Sequence, residues 1–94
     1  MYKVKFGPDA EKDIEKLDKE IAERIIRKIE WIAINAENII HHQLSFLPED
    51  LKGLCRIHIG DYRVLYWIYF EEQRIQIYRI EHRSEVYKWL RRKK

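Results

Sequence analysis

The apolar positions of this chain change period twice, and each change marks a new kind of element. Residues 2–6 alternate as Tyr2, Lys3, Val4, Lys5, Phe6, the pattern of a short half-buried strand. Gly7-Pro8-Asp9 stops the alternation and opens a helix, with proline in the first turn and acids at its positive end. Ala10, Ile14 and Leu17 then recur at helical spacing over residues 8–17. Asp18 is placed to N-cap a longer helix. In it Ile21, Ile25, Ile29, Ile32 and Ala36 form an apolar stripe, widened by Ala22, Ile26 and Ala33. Glu20, Glu23, Arg24, Arg27 and Glu30 fall on the other side as a solvated face. Two helices joined this closely predict an antiparallel hairpin.

From Asn35 to Leu54 no period holds. His41-His42-Gln43, Pro48-Glu49-Asp50 and Gly53 predict a loop pinned by Leu44, Phe46 and Leu47, with the two histidines exposed. Period two then returns. Cys55 to Ile59 alternates, Tyr62 to Phe70 is rich in aromatic and β-branched residues, and Arg74 to Ile80 alternates again. Gly60-Asp61 is a two-residue hairpin signal, and Glu71-Glu72-Gln73 closes a second hairpin. Ser84 is placed to cap a last helix, with Glu85 in its first turn and Arg91, Arg92, Lys93 and Lys94 at its negative end. The order β-α-α-β-β-β-α predicts an α+β fold. A four-stranded, mainly antiparallel sheet would carry the N-terminal helix hairpin on one face, followed by a C-terminal helix. Ninety-four residues are enough for one domain, residues 1–94, with one modest core.

The Gly60-Asp61 turn also predicts register. Ile59 should oppose Tyr62, His58 should oppose Arg63, Ile57 should oppose Val64, and Arg56 should oppose Leu65. Alternation across the pleat puts Cys55, Ile57, Ile59, Tyr62, Val64 and Tyr66 on one face. Arg56, His58 and Arg63 share the other. Like charges placed opposite one another destabilise a sheet, so this cluster points to an anionic visitor. The competing explanation is an ordinary solvated face, with the arginines paired to Glu71, Glu72 or Glu81.

Composition narrows the classes. A hydrophobic fraction of 46% and an aromatic fraction of 13% exclude a disordered tail. Residues 1–50 hold 8 Lys/Arg and 11 Asp/Glu, while residues 51–94 hold 11 and 5, so a net +3 conceals a basic second half. The lone Cys55 excludes an internal disulfide framework and fits a reducing cytosol; it should be a small buried hydrophobe. His41, His42 and Cys55 have no further ligand at a supporting spacing, so no metal or other cofactor is expected. Neither a signal peptide nor a membrane span of ~18 apolar residues is visible, which predicts a cytoplasmic protein without a membrane partner. His82, Arg83, Tyr87, Lys88 and the basic tail, interleaved with Trp67, Tyr69 and Trp89, form a footprint for single-stranded RNA.

At this point two segments carry a resemblance: Gly60-Asp61-Tyr62-Arg63-Val64-Leu65-Tyr66 and His82-Arg83-Ser84-Glu85-Val86-Tyr87. Together with the opening strand, the helix hairpin and the Leu51-Lys52-Gly53-Leu54 element, they resemble the RelE/ParE superfamily of toxins over nearly the whole chain. RelE-type members have a fold similar to small microbial ribonucleases. The resemblance implies metal-independent cleavage of messenger RNA in the ribosomal A site, with attack by the 2′-hydroxyl and a 2′,3′-cyclic phosphate product. It implies catalytic roles for Arg56 and His58 beside the nucleophile, Arg63 on the scissile phosphate and Tyr87 stacked on the substrate. Where some RelE enzymes place an arginine as general acid, this chain has Glu81, leaving Arg83 or His82 to supply the proton. His58 stands where lysine is common; with an ordinary pKa of about 6.5 it is a suitable base near neutrality. The implied partners are the ribosome, its mRNA, and an antitoxin encoded by an adjacent gene, with Trp89 and Leu90 as an apolar anchor for it. The superfamily also admits a ParE-like inhibitor of DNA gyrase, and a degenerate member that only binds its antitoxin.

Overall fold

The computed structural model describes residues 1–86 and 88. The expectations placed on Tyr87, Trp89, Leu90 and residues 91–94 lie outside the described residues. The elements are β1 (Lys3–Phe6), α1 (Pro8–Glu15), α2 (Lys19–Asn35), a 3-10 turn (Glu49–Leu51), β2 (Cys55–Ile59), β3 (Tyr62–Tyr69) and β4 (Arg74–His82). Residues 83–86 are helical after β4. The sheet order is β1-β4-β3-β2, with β2-β3 and β3-β4 antiparallel and β1 parallel to β4. The sheet is therefore mixed: an antiparallel meander with one parallel edge strand.

Helices α1 and α2 lay their apolar sides on one face of this sheet. Ile25, Ile29, Ile32, Ala33 and Ala36 of the second stripe are all at most 3% exposed, packed with Ile59, Val64, Tyr66, Ile75, Ile77 and Ile80. Burying each of the larger side chains is worth about 1.5–3 kcal/mol, which outweighs any helix propensity. The stripe is narrower than its apolar composition implies, because Ile26 is 40% exposed. Asp18 occupies the N-cap position of α2 without a side-chain cap bond; its carbonyl starts the helix by accepting Ala22 N–H at 2.9 Å.

The opposite face carries a second apolar cluster of Leu51, Leu54, Leu65 and Val86, with Leu44, Leu47, Trp67 and Tyr78 against it. Leu44 and Leu47 thus pin the long connection as expected, but Phe46 does not. It is 89% exposed and has φ of 59°, so its side chain is turned outward at a left-handed bend. His41 also departs from the exposed loop predicted for it. Its ring nitrogens lie 2.7 Å from Tyr66 Oη and 2.7 Å from the Ala36 carbonyl oxygen, tying the connection to both sheet and helix. Beyond it the chain runs along the β2 edge: Arg56 N–H donates to the His42 carbonyl and Leu44 N–H to the Leu54 carbonyl. Part of an open strand edge is thereby paired.

A bulge in β4 breaks the expected alternation. Leu65 pairs with Arg79 but Tyr66 pairs with Ile77, so Tyr78 is the extra residue. The buried positions of β4 are accordingly Ile75, Ile77 and Ile80, not Ile75, Ile77 and Arg79. Past the bulge every side chain changes face. Arg79 and Glu81 are brought to the side of Arg63, while His82 sits with Tyr62 on the other side.

Candidate active site

The predicted pairing of β2 with β3 is present position by position: Arg56 opposes Leu65, Ile57 opposes Val64, His58 opposes Arg63 and Ile59 opposes Tyr62. The Gly60-Asp61 turn that sets this register favours glycine through its backbone: Gly60 has φ of 59°, and a Cβ there would also lie 3.1 Å from Arg24 Nη2 of α2. Arg24, assigned by periodicity to a solvated helix face, therefore lies against the turn. Arg63 Nη1 donates to the Gly60 and Tyr62 carbonyls at 3.2 and 2.9 Å. Arg83 N–H donates to the Asp61 carbonyl at 2.8 Å, and its side chain is 3.8 Å from the Asp61 carboxylate. Three arginines from three elements so converge on one turn. Arg63 Nε is buried without a hydrogen-bond partner among the described residues. A buried donor left unmet costs about 1–3 kcal/mol, a cost that an anion reaching this nitrogen would remove.

β3 pairs on its other side with β4, and Arg63 there opposes Glu81. His58, Arg63 and Glu81 thus form one row across three strands. His58 is exposed at the outer strand. Desolvation lowers its pKa below the ordinary 6.5, and the positive charges of Arg63, Arg56 and His42 lower it further. Its neutral, proton-accepting form is favoured. His42 is exposed, as expected of the connection, and the folded connection brings it close enough to His58 to add to that shift.

Glu81 has different company. Arg79 forms an ion pair with it on one side and a bidentate pair with Asp13 of α1 on the other, at 2.9 and 3.3 Å. Asp13 also accepts the Ile80 backbone N–H at 2.8 Å. β1 ends opposite Ile77, so the Asp13 carboxylate takes up a donor on the part of the β4 edge that β1 does not reach. Burial raises the Glu81 carboxyl above its ordinary 4.5; Arg79 opposes the shift, Asp13 and Glu85 add to it, and Lys16 opposes it weakly.

Arg56 and His58 also line a cavity of about 550 Å³ at the β2 edge, with Lys28, Trp31, Ile39, Ile40, His42 and Ile57. The rings expected to line a basic groove are partly engaged elsewhere. Trp67 packs on Tyr78 with centroids 5.0 Å apart and donates Nε1–H to the Lys52 carbonyl, and the Arg74 guanidinium lies 4.2 Å over the Tyr69 ring. His82 does not join the row: its Nδ1 accepts the Ser84 backbone N–H at 3.2 Å, holding the start of the last helical turn. Cys55 is fully buried, and desolvation pushes its thiol up to about 11, so it is inert. Among the described residues, no group of three or more His, Cys, Asp or Glu is arranged to hold a metal ion. Among them, too, no helix is long and apolar enough to cross a membrane.

The family described as the ParE toxin of the type II toxin–antitoxin system parDE matches residues 4–87. No curated protein matches the sequence significantly. Among solved structures, the RelBE2 toxin–antitoxin complex from Mycobacterium tuberculosis is similar at 26% identity and a TM-score of 0.71, over 86% of this chain and 96% of that one. The isolated RelE toxin of E. coli is similar at 22% identity and a TM-score of 0.70, over 98% and 97%. An archaeal RelE–RelB complex from Pyrococcus horikoshii is similar at 21% identity and a TM-score of 0.64, over 90% and 98%.

Proposed function

The chain belongs to the ParE toxin family of type II toxin–antitoxin systems, and from that membership we propose that it is a RelE-like endoribonuclease that cuts mRNA on the ribosome. The observation that carries this reading is the opposed pair of His58 and Arg63 on the face shared with Arg56. A neutral imidazole beside a guanidinium is what 2′-hydroxyl attack on a phosphodiester requires. His58 accepts the 2′-proton, with Arg56 adding positive charge beside the nucleophile. Arg63 holds the non-bridging phosphate oxygens, and its charge counts most as negative charge accumulates in the transition state. Arg83, at the lip of the same turn, meets the flanking RNA backbone, and Tyr87 stacks on the substrate base. Residues 1–94 act here as one toxin domain, in the cytoplasm where ribosomes are.

Because similar RelE chains are solved in complex with RelB antitoxins, an antitoxin encoded by a neighbouring gene is the partner assigned to this chain. The test is expression without antitoxin. Wild type should arrest growth and cut A-site mRNA, and Arg63→Ala should cut about 10²–10³-fold more slowly. Undiminished cutting by Arg63→Ala would sink the mechanism. The family description itself favours a second reading, ParE-like inhibition of DNA gyrase. DNA breaks and an SOS response preceding any fall in translation would establish that reading instead.

A further inference from the structure

With Arg63 on the scissile phosphate and His58 on the 2′-proton, the ribose that bears the nucleophile lies at β2, the outer strand of the sheet. This puts the RNA upstream of that ribose nearest to the β2 edge. The connection covers one end of the edge, pairing Gln43 with Cys55 and accepting Arg56 N–H at the His42 carbonyl. Period two places the His58 N–H on the same edge, one step beyond. The cavity of about 550 Å³ lies here, between α2, the connection and β2. Lys28, His42 and Arg56 line it together with His58, and among the described residues no Asp or Glu does. Its apolar walls include Trp31 and Ile40, which are 44% and 80% exposed. Lys28 Nζ stands 4.0 Å from the centroid of the Trp31 ring, so a cation and a stacking surface are held side by side. A base and its phosphate have the same pairing of flat face and negative charge. The positive charges of Arg56 and His42 that act on His58 belong to this cavity, so its field is continuous with the row. An acidic peptide would answer the charge but would bring no flat face to the indole.

We propose that this cavity is a nucleotide-binding subsite for the RNA just upstream of the cut, with the base against Trp31 and the phosphate held by Lys28, His42 and Arg56. The proposal rests on the mRNA-cleavage reading above. The nucleotide concerned precedes the one that carries the 2′-nucleophile, whose own base is left to Tyr87. Binding there holds the reacting ribose from its 5′ side, so that part of the binding energy serves to align the 2′-oxygen with phosphorus. Stacking reads a ring face and not a hydrogen-bond pattern, so the subsite should accept all four bases. Trp31 and Lys28 are binding residues, outside the row that carries the chemistry.

The experiment compares two mRNAs on programmed ribosomes at subsaturating toxin, one natural and one lacking only the base of that upstream nucleotide. Trp31→Ala should cut the natural mRNA about 5–150-fold more slowly, and wild type should lose a similar factor on the abasic one. On the abasic mRNA the two proteins should cut alike. Trp31→Phe should keep most of the preference for the natural mRNA. Ile40→Ala, at a residue so exposed that the fold does not need it, should lose part of that preference. Equal loss by Trp31→Ala on both mRNAs would overturn the subsite, and so would a wild-type rate unchanged by removal of the base. So would Trp31→Ala cutting like wild type while escaping its antitoxin, which would give the cavity to a protein partner instead. Wild type that cuts neither mRNA would overturn the mRNA-cleavage reading itself, and the subsite with it.

Discussion

On the helix-covered face of the sheet, Cys55, Val64, Tyr66, Ile75, Ile77 and Ile80 are at most 3% exposed. The opposite face changes character along its length. One end is the cluster around Leu65 and Val86, and the other is the charged row of His58, Arg63 and Glu81. The first face maximises area removed from water. The second uses part of its area to anchor a loop and holds the rest at an energetic cost, with one buried arginine nitrogen unmet among the described residues.

The sharpest way to break this contrast is to cut into each apolar region. Ile77→Ala should cost about 2–5 kcal/mol in urea unfolding, and Leu65→Ala a similar amount, since both are at most 1% exposed. If Leu65→Ala costs far less, the second cluster is not a true core. Arg63→Ala should change unfolding free energy by less than about 1 kcal/mol while cleavage collapses, separating function from stability.

The next effect is smaller and depends on pH. Glu81 is held above its ordinary 4.5, so the folded state binds its proton more tightly than the unfolded chain. Its contribution is fully present below the unfolded value and is lost as pH rises through the folded value. His58 has the opposite sign: held below its ordinary 6.5, it favours the fold above that value and loses this as pH falls through the folded one. Melting curves from pH 4 to 7 should show wild type losing ground to Glu81→Gln as pH rises. Parallel curves would mean that the carboxyl is not perturbed. The smallest effect belongs to the turn that joins β3 to β4. Gln73 has φ of 52°, so Gln73→Gly should raise stability by up to about 1 kcal/mol, measurable as a higher melting temperature.

Much of this was legible from the residues. A glycine-bearing two-residue turn fixes the register of its strands, so the pairing of His58 with Arg63 follows from the spacing around Gly60. The α2 stripe and the buried Cys55 follow from periodicity in the same way. Other parts were not legible. Arg24 and His42 are exposed, as expected, but nothing local records that one lies against the Gly60 turn and the other near His58. Phe46 looked like an anchor because its side chain is apolar, while its left-handed backbone turns it outward.

Glu81 marks the boundary between the two kinds of knowledge. By itself the sequence determined that a glutamate stands on the last strand two residues before Arg83, and that alternation must place it on one face or the other. Strict alternation from Ile75 and Ile77 would send Glu81 into the helix-covered core. Ile80 breaks that period, yet where the extra residue is absorbed depends on how β4 pairs with β3. The bulge at Tyr78 arises from that pairing, because it lets Ile77 and Ile80 both be buried against the helices. Only the tertiary structure decided that Glu81 faces Arg63, because the apolar area gained by burying Ile80 sets the register of everything after it.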